Sequence, residues 1–357
     1  MMTRSRVPVA VLGATGTVGQ KFVRLLADHP WFQIVAVAAS SGSAGRPYRD
    51  AARWRESTPM PPEVGTLTVQ ECTASLPGKI AFSALDAEVA APIEQAFARA
   101  GVLVITNTRT HRMDPDVPLL VPEVNADHVR LMECQRERRG WSGSILANPN
   151  CSTAALALAL APLHRACTIE RLFVSTMQAV SGAGYPGVPS LDILGNVIPF
   201  ISGEEEKIDR ESRKILGTFT GGSVEPAAFP LSVHTSRVPV LDGHMATVSV
   251  GLRHSVSPSQ AADLLRGFRG PPQISDLPSS PVPPIEVEEK PDRPQPRLDL
   301  ERGAGMAVTV GRIRPCPVLD LRLVVLGHNT IRGAAGQGIQ IAELLVAEDR
   351  VKAEPTR

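Results

Sequence analysis

Aromatic residues make up only 4% of this 357-residue chain, too few for the stacking platforms on which single-stranded nucleic acids lie. Charge of one sign is not in excess. With 37 basic and 36 acidic residues the formal net charge is +1, so neither nucleic acid nor an anionic membrane is an expected partner. Cysteine is sparse. Cys72, Cys134, Cys151, Cys167 and Cys316 are odd in number, widely spaced and without a CxxC pair. That pattern argues against a disulfide framework and against a zinc site or other metal centre, and for a reducing, cytoplasmic setting. Long apolar runs are missing too. The longest, Ala154 to Leu163, is too short to cross a bilayer. Arg6 leads directly into Val7-Pro-Val-Ala-Val-Leu12, which reads as a first strand and not as a signal peptide. What remains is a globular chain long enough for two domains, each with its own core.

The first half alternates strand and helix. Val9–Leu12 is an unbroken apolar run ended by Gly13, and a helix is expected from Gln20 to Ala27, blocked by Pro30. Further strands are expected at Phe32–Ala38, Lys79–Ala84 and Val102–Thr106, with a helix over Val89–Arg99. This alternation implies an α/β, Rossmann-type doubly wound parallel sheet to about residue 150. After Cys151 the pattern changes. A helix over 152–163, a strand at 172–178, an acidic-basic helix near 204–216 and strands near 231–252 imply a second domain with a mixed or antiparallel sheet. Nine prolines fall among the 26 residues from Pro271 to Pro296. Strands expected beyond them, at 306–313 and 319–326, make that stretch an excursion within the domain and not a linker. The last helix, about Gly336–Ala347, is expected to return to the first domain.

Three groups of residues carry chemistry. Gly13-x-x-Gly16-x-x-Gly19 lies where a strand enters a helix, the position at which glycines let backbone approach a pyrophosphate. The second strand ends not in Asp or Glu but in Ser40-Ser-Gly-Ser43-Ala-Gly-Arg46. An acid there would bind a ribose hydroxyl and repel a 2′-phosphate; hydroxyls and an arginine suit NADP. Asn148-Pro-Asn-Cys151-Ser places a thiol at a helix start, where unpaired N–H groups bias it toward the attacking thiolate. Ser236-Arg237-Val-Pro-Val-Leu-Asp-Gly243-His244 adds a cation and an imidazole. Glu204 and Lys207 share a helical face and suit an ammonium and an anion respectively. Together these suggest an oxidoreductase that works through an acyl-enzyme.

The ordered blocks Gly13–Gly19, His111-Arg-Met-Asp-Pro-Asp-Val-Pro118, Val121-Pro-Glu-Val-Asn125, Asn148–Ser152, Gln178-Ala-Val-Ser-Gly-Ala-Gly184, Gly203-Glu-Glu-Glu-Lys207, Arg237-Val-Pro-Val and Gly327-His-Asn-Thr-Ile-Arg-Gly-Ala-Ala335 resemble the aspartate-β-semialdehyde dehydrogenases, in their archaeal and fungal branch, over nearly the whole chain. The resemblance implies an NADP-dependent, phosphorylating aldehyde dehydrogenase that makes aspartate semialdehyde for amino-acid biosynthesis. It implies a nucleophilic Cys151, an acid/base His244 and an orienting Gln178. Arg237 would bind the substrate carboxylate, Glu204 its ammonium, and Arg112 and Lys207 the phosphate. Gly13, Thr15, Gly16, Thr17, Val18, Ser40, Ser43, Ser83, Ser181, Gly182 and Asn329 would line the NADP site. It also implies an NADP-binding domain at 1–150, an α+β catalytic and dimerisation domain at 151–327, a returning segment at 328–357, and a homodimer or dimer of dimers. A malonyl-CoA reductase, or another acyl-CoA or acyl-phosphate reductase, would keep Cys151, His244 and Arg237 and is the alternative.

Overall fold

A computed structural model describes residues 6–352. Six parallel strands form the first sheet: β1 (Val7–Leu12), β2 (Phe32–Ala39), β3 (Gln70–Glu71), β4 (Ile80–Ser83), β5 (Leu103–Thr106) and β6 (Ser144–Ala147). Their spatial order is β3-β2-β1-β4-β5-β6. The order reverses between β1 and β4, and the crevice beyond the carboxyl ends of those strands is where such sheets bind ligands. Alternate residues serve opposite faces. Val9, Val11, Ile80 and Phe82 pack with Phe22 and Ile339, on the side of the helices Thr17–Leu26 and Gly336–Ala347. Ala10, Leu12, Ala81 and Val104 pack with Phe97 of the helix Ala87–Arg99 on the other. Both faces are covered, which is why the strands read as continuous apolar runs.

The second sheet comprises β7 (Ile169–Gln178), β10 (Leu231–Arg237), β11 (His244–Leu252), β12 (Ile285–Glu288), β13 (Val308–Pro315) and β14 (Leu321–Gly327); β8 (Thr218–Phe219) and β9 (Val224–Glu225) form a separate hairpin. Its order, β10-β7-β11-β14-β13-β12, is mixed: β10 runs parallel to β7 and β12 to β13, while the other neighbours are antiparallel. The helix Cys151–Cys167 is buried nearly all round. Leu156, Leu158 and Leu160 join one core that takes in residues of both sheets, including Val104, Val174, Val248 and Val310. It continues past Pro162, four residues beyond the expected end. The proline-rich stretch is ordered, with short helices at Pro272–Ser275 and Pro296–Asp299 flanking β12. The last helix packs on the first sheet, where Gly338 lets it close on Phe22 and Ile105. Among the described residues no helix is long and apolar enough to cross a membrane.

Candidate active site

The first sheet fixes the glycine loop. Gly13 has φ +72°, and a Cβ there would lie 2.4 Å from the carbonyl oxygen of Ala84 on the neighbouring strand. A Cβ at Gly19 would lie 2.2 Å from the Gly13 oxygen, so the helix could not approach the turn with any side chain. Gly16 is different: it is the N-cap of the helix Thr17–Leu26, has no side-chain cap, and opposes nothing closer than 3.4 Å. Open space in front of unpaired first-turn N–H groups suits a dinucleotide pyrophosphate. Tyr48 Oη donates to Ala14 O at 2.8 Å and braces the turn from below.

Across the crevice Cys151 begins its helix. The Asn150 side chain caps it, accepting from Ser152 N and Thr153 N at 2.9 and 3.1 Å. Asn150 Nδ2 donates to Glu204 Oε1 at 2.7 Å, so one residue caps the helix that Cys151 begins and orients the carboxylate beside it. The surroundings of Cys151 oppose the thiolate that the helix start alone would favour. Burial, and after it the Glu204 charge, push the thiol up to about 12 against the pull of Arg112 and Arg237. The helix start alone does not overcome burial and a carboxylate. Gly333 closes the back of the cysteine: a Cβ there would lie 2.7 Å from Cys151 Cα.

Gln178 and Arg237 end β7 and β10 as register partners, and His244 begins β11. Three strand ends therefore deliver three functional side chains to one place. His244 Nδ1 accepts from Ala179 N at 3.1 Å, so the neutral ring carries its proton on Nε2, and that atom is buried without a partner. Burial, then the Arg237 charge, lower the His244 pKa to about 3. Arg237 Nη1 donates to Ala179 O at 2.8 Å. Burial lowers the Arg237 pKa too, though Cys151 and Glu204 oppose the shift. Gly182 is pressed between them; a Cβ there would lie 2.8 Å from both Arg237 Nη1 and His244 Nε2.

The helix Glu204–Ile215 supplies the other side. Lys207 Nζ sits 3.2 Å from Glu204 Oε2, so the carboxylate has a cation from its own helix as partner. Burial would raise the Glu204 pKa, but hydrogen bonds from Asn150, Lys207 and Gln178 and the Lys207 charge hold it below the usual range. Arg112 reaches the cleft from the first domain, held by Glu211 Oε1 at 3.0 Å and the Asn107 carbonyl at 2.9 Å, with its Nε buried and unpartnered.

One cleft of about 500 Å³ gathers these groups: Thr17, Val18, Arg112, Cys151, Gln178, Ser181, Gly182, Glu204, Lys207, Arg237 and Asn329 all line it. His244 stands behind Gly182. Asn329 donates to Ser181 Oγ at 2.8 Å and accepts from Gly243 N at 2.8 Å, tying the returning segment to the loop that carries His244. Gly13, Thr15, Gly16, Ser40 and Ser43 belong to the loops after β1 and β2, outside the cleft lining. Arg46 turns back to the Asp50 carbonyl. Ser83 is fully buried with its hydroxyl on Glu94, 2.6 Å away, so it offers a cofactor backbone and not a donor. Sequence reasoning missed Asn150, Glu211 and Lys214. Glu211 Oε2 also accepts from Asn150 N at 2.6 Å, linking Arg112 to the cysteine's cap. Lys214 Nζ donates to the carbonyls of Arg112, Asp114 and Val117, each at 2.8 Å. Only the Asn-Pro-Asn prefix carried a legible signal; Glu211 and Lys214 sit inside a charge run that reads as solvated. Among the described residues no group of acidic, histidine and cysteine side chains is placed to hold a metal ion.

The chain matches a family model described as semialdehyde dehydrogenase, NAD binding domain, over residues 8–132, and one described as semialdehyde dehydrogenase, dimerisation domain, over residues 160–332. It is 49% identical to the aspartate-semialdehyde dehydrogenase of Methanothermobacter thermautotrophicus, across 95% of this chain and 99% of that one. It is 46% identical to the Schizosaccharomyces pombe enzyme, across 95% and 97%. The crystal structure of the Candida albicans enzyme with NADP superposes with a TM-score of 0.90 at 42% identity, covering 97% of this chain and all of that one. Overall fold and sequence agree, and the chain belongs to the aspartate-semialdehyde dehydrogenase family.

Proposed function

We propose that this chain catalyses the NADPH-dependent reductive dephosphorylation of L-aspartyl-4-phosphate to L-aspartate-4-semialdehyde through a thioester on Cys151. One observation carries the reading. A single cleft sets a cysteine at a helix start between a carboxylate-binding arginine, Arg237, and the Glu204–Lys207 ion pair. An acyl phosphate with an α-amino group and an α-carboxylate has one partner for each of its charges there. Arg237 offers the planar fork that a carboxylate fits. Glu204 takes the ammonium, and Lys207, displaced from it, joins Arg112 on the phosphate. The ammonium cancels the Glu204 charge that helps hold Cys151 protonated, so substrate binding favours the thiolate.

The thiolate attacks the acyl carbon, the C–O bond to phosphate breaks, and the departing phosphate takes up one proton. The Asn150 cap takes the Ser152 and Thr153 N–H groups, so the Cys151 N–H would face the oxygen of the tetrahedral intermediate. When bound, NADPH supplies the hydride that reduces the thioester; Gly13, Thr15, Gly16, Thr17 and Val18 would hold its pyrophosphate, with Ser40, Ser43, Ser83, Ser181, Gly182 and Asn329 along its length. His244 Nε2–H donates to the oxyanion that reduction would produce, and Gln178 orients it. His244 takes the proton back as the carbonyl re-forms and the C–S bond breaks, which releases the aldehyde and restores the thiolate.

We infer a division into a cofactor domain at 1–150, a catalytic domain at 151–327 and a returning segment at 328–357, whose outermost residues lie outside those described. A homodimer, and from it a dimer of dimers, fits the exposed outer face of the second sheet, where Phe173 is 52% exposed between Ser232 and Ser249 of the flanking strands. Five free cysteines suit the cytoplasm. The test is a comparison of initial rates in the reverse direction. Aspartate semialdehyde with phosphate and NADP should turn over, and malonate semialdehyde with coenzyme A should not. The opposite preference overturns the reading in favour of an acyl-CoA reductase.

A further inference from the structure

Behind the cleft, in the core of the first domain, lies a cluster of ionisable groups that the reaction does not use. Glu94, on the helix Ala87–Arg99, is fully buried. Its Oε1 accepts from Ser83 Oγ and Thr106 Oγ1, both at 2.6 Å, and so ties the carboxyl ends of β4 and β5 together. Its Oε2 has no hydrogen-bond partner. His111 Nε2 faces it at 3.8 Å and has none either. The other ring nitrogen is committed: Nδ1 lies 2.8 Å from Asp114 Oδ2, a carboxylate oxygen that can only accept, so Nδ1 carries a proton. Asp114 in turn is paired with Arg139 at 2.9 Å. Among the described residues, the one charge that acts on the Glu94 carboxyl is that of His111.

A neutral His111 beside an ionised Glu94 would bring two lone pairs face to face in a dry core. One further proton removes the conflict, held on the ring or on the carboxyl and shared between them. The position of the pair gives that proton a consequence. Asn107, Thr108 and Arg109 line the cleft, and Arg112, next in sequence to His111, lines it as well. Thr106 Oγ1 lies 3.0 Å from Thr108 Oγ1, so the same carboxylate reaches both ends of the turn.

We propose that Glu94 and His111 share one proton across that gap and thereby act as positioning residues, fixing the 107–112 loop so that Arg112 meets the phosphate of the substrate. The proposal rests on the reaction given above for the identity of that anion; the shared proton does not. Glutamine at position 94 can mimic the protonated acid. It accepts from both hydroxyls and donates to His111 Nε2 without titrating. Leucine fills the space and does neither.

The test is kinetic and spectroscopic. In the reverse reaction Glu94→Leu should raise the KM for phosphate by about tenfold or more, with kcat and the KM for NADP changed far less. Glu94→Gln should stay within about twofold of the wild type. Amide hydrogen exchange over residues 107–112, read by NMR, should be faster in Glu94→Leu than in the wild type and unchanged in Glu94→Gln. A folded Glu94→Leu enzyme with an unchanged KM for phosphate overturns the proposal, as does a Glu94→Gln enzyme that loses phosphate as Glu94→Leu does. Should Glu94→Leu not fold, His111→Leu, which removes the ring's end of the pair, takes its place, and an unchanged KM for phosphate there overturns the proposal likewise. A wild type inactive with phosphate would remove the proposed reaction and leave the exchange rates as a test of the pair.

Discussion

Acid should unfold this protein partly through His244, and the size of the effect follows from where the ring sits. Buried beside Arg237, with Nδ1 accepting from Ala179 N, the folded ring has a pKa of about 3 in place of its ordinary 6.5. The sign is fixed by which state binds the proton first. Below 6.5 the unfolded chain takes it up and the folded chain does not, so stability falls with falling pH, and the loss levels off only below about 3. Between pH 7 and pH 4.5 those two values correspond to a loss of about 2.5 kcal/mol from this one residue. His244→Asn keeps an acceptor for Ala179 N and removes the titration. Denaturant unfolding measured at one protein concentration across that range should show the wild type losing about 2.5 kcal/mol more than His244→Asn. Parallel pH profiles for the two proteins would refute the reasoning. The same burial keeps the ring neutral through the working range, so an acid limb near pH 6 in the kcat/KM profile would belong to another group.

Arg237→Lys should raise the KM for aspartate semialdehyde steeply while sparing the KM for phosphate, because an ammonium keeps the charge and loses the two-pronged fit; steady-state kinetics against each substrate would show the split. Glu204→Gln should weaken aspartate semialdehyde and Lys207→Met should weaken phosphate. Their 3.2 Å contact makes the two effects non-additive in a double-mutant cycle, and wild-type kinetics in both variants would mean that the pair is surface charge. Lys214→Met should cost about 3–5 kcal/mol in denaturant unfolding, since it leaves three buried carbonyls without donors and removes a cation beside Glu211. Burial lowers the Lys214 pKa to about 8. Three accepting carbonyls nevertheless match the three protons of an ammonium, and the neutral amine would leave one unsatisfied.

The legible part of the site was the part built from local sequence. Gly13 and Gly19 are required by the turn itself, and Asn150 announces a helix start, so the loop and the cysteine could be placed from a few neighbouring letters. The alternation of strand and helix likewise revealed the first sheet, because its strands are buried on both faces. What could not be read was set by distance in sequence. Glu94 meets His111 across 17 positions and Arg112 meets Glu211 across 99, and neither pairing leaves a trace in the residues that flank it. The ionisation of Cys151 was misjudged for the same reason. The helix start is local, but the opposing Glu204 arrives from another element and the depth of burial depends on the whole fold. Proline content misleads in the other direction. The 271–296 stretch has the composition of a linker, yet the short strand Ile285–Glu288 pairs with β13 and joins it to the second sheet.

The chain passes between its two halves twice, at Asn148–Cys151 and again at Gly327–Gly336, and the two passages lie side by side. Asn148 Nδ2 donates to Ala334 O and Gln337 Nε2 to Asn148 Oδ1, each at 2.8 Å, while Gly333 rests against the Cys151 backbone. Both passages therefore meet where Cys151 begins its helix, and that helix is packed into the core that takes in residues of both sheets. The cysteine is carried where the molecule has least room to shift, and any side chain at position 333 would be felt at Cys151 itself, 2.7 Å away.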